Sequence, residues 1–246
     1  HKKTIALVKQ ITIDPEVSDT KWLIDATEDF CQEKAIYNGI MQSIQILDSK
    51  TGNEKLDKGS IQMPNGSTFK LQPMIGCIGT APLESATTGV AWTHGGNMDQ
   101  PVVRSNTSIL LPVFVEGALL YIGDIHAAQG DGEISGVGLE IGAEVIVEVE
   151  LIPGAAPEWP WLINDESVMV LTVGENFEKS SYTAIDQGMK LLENKLNLAP
   201  ADALALLSIC GDVRLGGFYG IPHVTTRLEI PRHLNVAPDG LRKGTI

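Results

Sequence analysis

The sequence predicts an α+β protein that is mostly β, with an antiparallel β-sandwich or barrel-like core and a smaller C-terminal α+β part. Three observations carry this. β-branched apolar runs of strand length dominate as far as Leu151. The 25 glycines and 13 prolines supply frequent turn signals between them. Apolar stripes of helical period appear only late in the chain. The change of character falls at Pro153, so residues 1–152 read as a β-rich part carrying the site. Residues 153–246 read as an α+β part packed on it.

The elements follow in order. Thr4 to Ile13 is β-branched and stops at Asp14-Pro15, so it reads as a strand. Ser18 to Ala35 fits neither period well and is assigned to helix; a further run, Gly39 to Leu47, ends at a turn-like Asp48–Gly52. The polar loop Asn53 to Ser67 holds Pro64-Asn65-Gly66, a hairpin signal. From Ser108 to Leu151, four apolar runs are separated by Glu116-Gly117, by Gln129-Gly-Asp-Gly132 and by Gly142-Ala143. The last, Val145 to Leu151, alternates, so one face is expected buried and the other, with Glu144, Glu148 and Glu150, wet. After a proline-rich connection to Pro160, Val168 to Val173 reads as a strand. Ser180 or Ser181 is expected to cap a helix with Tyr182, Ile185, Met189, Leu192 and Leu196 on one stripe. Pro200 suits the first turn of a second helix, apolar on most sides and so expected buried, which Gly211 stops. Strands are expected near Val213 and from Val224 to Ile230.

Charge narrows the partners. With 31 acidic against 18 basic residues the net charge is −13, which repels phosphate backbones and anionic headgroups. Nucleic acid and membrane surfaces are therefore poor partners, and a small neutral or cationic ligand remains open. No run is long and apolar enough to span a bilayer; Ile109 to Ile125 is broken by Pro112, Glu116 and Asp124. The opening His1-Lys-Lys-Thr4 shows no apolar secretory core. Cys31, Cys77 and Cys210 have no CxxC spacing, so reduced, cytoplasmic thiols are expected.

Two polar clusters interrupt the apolar first half. One is Thr93-His-Gly-Gly-Asn-Met-Asp99; the other is Gly123-Asp-Ile-His-Ala-Ala-Gln-Gly-Asp-Gly-Glu133, with Glu140 further on. Asp124 and His126 are two apart, so an extended strand points both to one face. A carboxylate beside an imidazole is commonly a hydrogen-bonded surface pair, but both are also ordinary ligands of a divalent metal. The Gln129–Gly132 turn folds the chain back, so Glu133 or Glu140 can face the same pocket. His94 and Asp99 flank a Gly-Gly-Asn loop whose glycines permit close backbone approach and offer N–H groups to a ligand oxygen. Cys77 and Cys210 lie in apolar runs and read as buried thiols, and no G-x-S-x-G elbow occurs. Trp159 and Trp161 read as packing residues.

The strings Leu71-Gln-Pro-Met-Ile-Gly-Cys-Ile-Gly-Thr-Ala-Pro82, His94-Gly-Gly-Asn-Met-Asp99 and Leu111 to Leu120 running into Gly123–Glu133 resemble the acetamidase/formamidase family. Leu206 to Leu215 is similar to the family's late helix and following strand, so the resemblance covers roughly residues 68–233. It implies a mostly β, metal-associated hydrolase of short aliphatic amides. The matching positions are His94, Asn97, Asp99, Asp124, His126, Gln129, Asp131, Glu133 and Glu140. A metal, zinc in preference to calcium, is expected on His94, Asp99, Asp124, His126 and Glu140 or a subset of them. Glu133 or Glu140 is expected as proton acceptor, Asn97 as an oxyanion donor, and Gln129 and Asp131 as further catalytic residues. A homodimer or larger homo-oligomer is the expected assembly. The alternative is a metal-binding, small-molecule-binding homologue that no longer turns over amides. The region before Gly39 does not resemble the family, which bears on specificity.

Overall fold

A computed structural model describes the backbone of residues 4–14 together with residues 59–63, 65–154, 157–217 and 223–238. The helix assigned to Ser18–Ala35 and the run Gly39–Leu47 lie outside the described residues. The described chain is built from antiparallel sheets and two helices, as the sequence predicts.

The largest sheet has seven strands: β1 (Thr4–Asp14), β6 (Ser108–Val113), β9 (Glu144–Pro153), β10 (Trp161–Ile163), β11 (Ser167–Gly174), β12 (Asp212–Leu215) and β13 (Val224–Pro231). Their order is β12-β13-β11-β10-β6-β1-β9, an open sheet with no closure into a barrel among the described residues. Every pairing in it is antiparallel. The sheet crosses residue 152, because β6 pairs with β10. The three-residue strand β10 has no counterpart in the sequence reading. Its Trp161, Leu162 and Ile163 are buried, and burial on both faces removes the alternation that would mark a strand. Trp159 and Trp161 belong to the core cluster, with Leu110 and Leu111 of β6 and Val168 to Leu171 of β11.

The Asn65-Gly66 turn joins β2 (Ser60–Gln62) to β3 (Thr68–Lys70) as a hairpin. The third sheet has the order β5-β4-β7-β8, from β4 (Met74–Gly79), β5 (Gly95–Asn97), β7 (Tyr121–Ala128) and β8 (Leu139–Glu140). Its strand β4 is buried throughout. Of the four runs expected between Ser108 and Leu151, the third shrinks to the two residues of β8. Gly136 and Gly138 leave the preceding residues in turns.

Helix α1 (Phe177–Leu196) packs on β11 and β13, and α2 (Pro200–Cys210) packs on α1. The cap of α1 is Asn176, whose side chain accepts from Lys179 N at 2.9 Å, so the helix starts earlier than a Ser180 or Ser181 cap predicts. Ser180 is instead an interior residue of the first turns, its carbonyl accepting from Thr172 Oγ1 at 2.8 Å. The expected stripe is also displaced. Tyr182 is 64% exposed, while Ser180, Ala184, Gly188, Leu191 and Leu192 face the sheet. Small residues are required there, since a Cβ on Gly188 would lie 2.4 Å from Leu228 Cδ2. Pro200 opens α2 as expected, but only Ala203 and Leu207 are buried and Ile209 is 82% exposed. An apolar helix that touches its neighbours along one stripe leaves its other apolar side chains in water. Strand β9 departs similarly: Ile146, Val149 and Leu151 are exposed beside the glutamates, and a register shift between Val8 and Gln10 of β1 breaks the alternation.

Alternation along β13 places the site. Leu228 and Ile230 approach Gly188 of α1, so Thr225, Arg227 and Glu229 turn to the other face of the sheet. There Thr225 Oγ1 donates to the Met98 carbonyl at 2.8 Å, tying β13 to the end of β5. The chain is thus layered as helices, seven-stranded sheet and four-stranded sheet.

Candidate active site

The four-stranded sheet assembles the polar clusters. The register pairs Met74 with His126 and His126 with Glu140, so Glu140 arrives directly beside His126 across β7 and β8. A shift between His126 and Ala128 makes this ladder irregular. Glu133 reaches the same place by the turn: its N–H donates to the Gly130 carbonyl at 3.2 Å. Irregularity brings both glutamates to one centre.

Ligand-type atoms converge in two groups that share His126. Asp99, His126 and Glu133 form one, and Asp124, His126 and Glu140 the other, with the atoms of each group within 4.8 Å of one another. His126 is 1% exposed, and its Nε2 lies 3.1 Å from Asp124 Oδ1 and 3.0 Å from Glu140 Oε1. Its Nδ1 lies 2.5 Å from Gln129 Oε1. The Gln129 amide is oriented by its other end, since Nε2 donates to the Asp99 carbonyl at 2.9 Å. Its oxygen therefore faces the ring, and Nδ1 must carry a hydrogen. In a neutral ring that hydrogen leaves a lone pair on Nε2, aimed at two carboxylate oxygens. Three acceptors facing one another need a proton or a cation between them. A divalent cation fits the donor set of Asp124, His126 Nε2 and Glu140. Asp99 adds to the demand, because its buried Oδ1 has no hydrogen-bond partner.

The electrostatics agree. Burial would lower the His126 pKa, but hydrogen bonds to Asp124 and Glu140 and their charges raise it to about 11. Without a cation the ring is an imidazolium. Burial, reinforced by the charges of Glu133 and Asp124, pushes Asp99 up to about 8. Burial likewise raises Glu133 to about 7, with the charge of His126 opposing it, and raises Glu140. Asp99, Asp124 and Glu133 also have left-handed backbones, with φ of 46°, 58° and 41°. Such conformations cost a non-glycine residue on the order of 1 kcal/mol each, and three carboxylates at one centre hold them.

Close packing leaves room for these groups only where side chains are missing. A Cβ on Gly76 would stand 2.4 Å from Asp124 Oδ2 and 2.8 Å from Asp99 Oδ1. One on Gly138 would stand 2.4 Å from His126 Nδ1.

His94 is buried, with its pKa lowered by burial, and its ring joins neither group. Gly95 and Gly96 have positive φ as expected, but the close approach they permit is to the chain itself, at the Ile78 and Val90 carbonyls. Asn97 pairs with Cys77, one position from Gly76 along β4. Asp131 is held in a fork by Arg227, at 2.6 and 2.9 Å, and joins neither group. Burial and the charges of Asp124 and Asp99 push the Cys77 thiol up to about 12, and its Sγ donates to the Thr88 carbonyl at 3.3 Å. A cavity of about 600 Å3 lies against Gln129, between Phe69 and Lys70 of the hairpin and Leu139 of β8. No described helix is long and apolar enough to cross a membrane.

An open antiparallel β fold, backed by helices and burying a carboxylate–imidazole centre on its smaller sheet, defines the class of protein. The chain belongs to the Acetamidase/Formamidase family, whose profile matches residues 39–235. It is similar to the acetamidase of Mycolicibacterium smegmatis, with 47% identity over 62 residues, or 25% of this chain and 15% of that protein. It is also similar to the formamidase of Methylophilus methylotrophus, with 37% identity over 73 residues, or 29% of this chain and 18% of that protein. These matches span less than a fifth of either relative's length. Among solved structures, the acetamidase of Bacillus halodurans superposes with a TM-score of 0.72 at 26% identity, covering 95% of this chain and 75% of that one. The acetamidase of Yersinia enterocolitica gives 0.71 at 26% identity, covering 94% and 70%.

Proposed function

We propose that this chain hydrolyses short aliphatic amides of the formamide and acetamide kind, releasing ammonia and the carboxylate. The observation that carries the reading is the His126 centre, where an oriented imidazole meets four carboxylates in a family whose members include an acetamidase and a formamidase. Asp124, His126 and Glu140 would hold a divalent cation, with Asp99 beside them. Zinc suits the imidazole-containing set and calcium an oxygen-rich subset. When bound, the cation supplies Lewis acidity toward the amide carbonyl and the attacking water.

The chain's own residues do the rest. Gln129 fixes the His126 ring so that Nε2 faces the cation site. Glu133 takes the proton of the attacking water and delivers it to the departing nitrogen. A carboxyl raised to about 7 by burial can do both near neutrality. Water adds to the carbonyl carbon, the C–N bond breaks, and the amine leaves with the proton that Glu133 carried. A neutral substrate is not repelled by a chain of net charge −13.

The test combines metal analysis with ammonia release from a panel of short amides. Near-stoichiometric divalent metal, removable by chelator, and ammonia release lost with it are expected. Protein that binds no zinc when offered it, or that releases no ammonia while fully loaded, would overturn the reading. Cys77→Ala is expected to keep kcat within about 2-fold, because a thiol held neutral by burial is no nucleophile. Complete loss in a folded variant would make Cys77 the attacking group instead.

A further inference from the structure

Arg227 lies about a hundred residues beyond the carboxylate cluster in sequence, yet its side chain is only 5% exposed and sits against the site. Its NH1 donates to Asp131 Oδ1 at 2.6 Å and to Gln100 Oε1 at 3.0 Å, and its NH2 to Asp131 Oδ2 at 2.9 Å. Its Nε donates to Glu229 Oε1 at 2.6 Å. Gln100 is in turn held by Thr225, its Nε2 donating to Oγ1 at 3.2 Å. Four of the five guanidinium hydrogens are thus engaged, and both oxygens of Asp131 are taken in a planar fork. A carboxylate so occupied is badly placed to accept a proton from water or to ligate a cation.

The fork has a consequence for the residues on either side. Asp131 lies between Gly130 and Gly132, the most pliable backbone in the region. Gln129, which orients His126, precedes this turn, and Glu133, with φ of 41°, follows it. Two glycines would let Glu133 swing away from Asp99, Asp124 and Glu140, the three carboxylates whose charges oppose its own. The grip on Asp131 opposes that motion from the seven-stranded sheet.

We propose that Arg227 is a positioning residue: by holding both oxygens of Asp131 it fixes the Gly130–Gly132 turn and aims Glu133 at His126 and Asp99. Asp131 is the handle of this clamp and not an acid or base of the reaction. The proposal rests on the amide-hydrolysis reading for its kinetic outcome alone.

The experiment uses Arg227→Lys, Arg227→Met, Asp131→Asn and the double variant in the metal-loaded full chain. Each single variant is expected to lower kcat by about 10²-fold, with Arg227→Lys losing less and KM moving little. The double variant should be no slower than the worse single one, since either change opens the same clamp. Metal content should stay at the wild-type level, because Asp124, His126 and Glu140 are untouched. Amide hydrogen exchange across residues 130–136 should quicken about 10-fold or more while β11 and β13 stay protected. Should Arg227→Met fail to fold, Arg227→Lys and Asp131→Asn decide the matter. Wild-type kcat and unchanged exchange in either would overturn the clamp, as would additive losses or exchange quickened equally throughout the sheet. If wild-type protein hydrolyses no amide, the functional reading falls, and exchange and metal content still judge the clamp.

Discussion

Glu133→Gln is expected to lower kcat for ammonia release by about 10³-fold while bound metal stays stoichiometric. Glu140→Gln is expected to lose metal, and its activity should return in part when the metal concentration is raised. The difference follows from what each carboxylate touches. Glu140 meets His126 Nε2 at 3.0 Å across a strand pair, in the group that includes Asp124. Its position is set by the ladder, as suits a ligand. Glu133 belongs to the other group, beside Asp99, and enters by a turn. Burial holds it near 7, where a carboxyl exchanges protons with water readily. Gln at either position keeps shape and one acceptor oxygen but cannot accept a proton. Atomic absorption and steady-state kinetics on the two variants separate the roles. If Glu133→Gln lost its metal while Glu140→Gln kept it, the assignments would have to be exchanged. If both kept metal and full turnover, the acid–base scheme would be wrong.

Much of this centre was legible because period-2 spacing is a strong constraint. Asp124 and His126 fall on one strand of the smaller sheet, and the Gln-Gly-Asp-Gly turn does return the chain to them. What the spacing could not convey is how a left-handed Asp124 and a two-residue β8 gather Glu133 and Glu140 together. Regular alternation separates those two glutamates. The same limit hid Arg227. Thr225, Arg227 and Glu229 form a polar stripe at alternate positions of a β-branched run, with Leu228 and Ile230 on the other face. That stripe is a readable sign of a strand with one polar, partnered face, but its partner Asp131 is 96 residues away. Gly76 was hidden for another reason. A glycine required by a neighbour's side chain looks, in sequence, like any turn or bulge glycine. The helices show where local signals mislead: α1 turns its small residues to the sheet, so the apolar stripe alone misplaces the buried face.

Removing the cation should make stability fall as pH rises, and restoring it should reverse the trend. Asp99 and Glu133 ionise near 4 in an unfolded chain but near 8 and 7 when folded. Between those limits the folded protein binds more protons than the unfolded one, so each step up in pH favours unfolding. Their contribution is fully present below pH 4 and gone above pH 8. His126 acts in the same direction over a later window. Its charged form is favoured by folding, so its contribution is complete below about 6.5 and is lost as pH rises toward 11. The three groups share one set of charges, so their effects do not add in full. A loss of about 4 kcal/mol between pH 5 and pH 9, or about 10 °C in Tm, is the expected scale for chelator-treated protein. Saturating zinc should raise Tm more at pH 8 than at pH 5, because the cation competes with protons for His126 and Glu140. Asp99→Asn should flatten the metal-free profile, since the amide carries no charge to bury. Thermal unfolding with and without chelator measures all three. A metal-free Tm that held steady or climbed from pH 5 to pH 9 would mean that these carboxylates are not buried together as described. A larger zinc effect at acid pH would mean that Asp124, His126 and Glu140 are not the ligands.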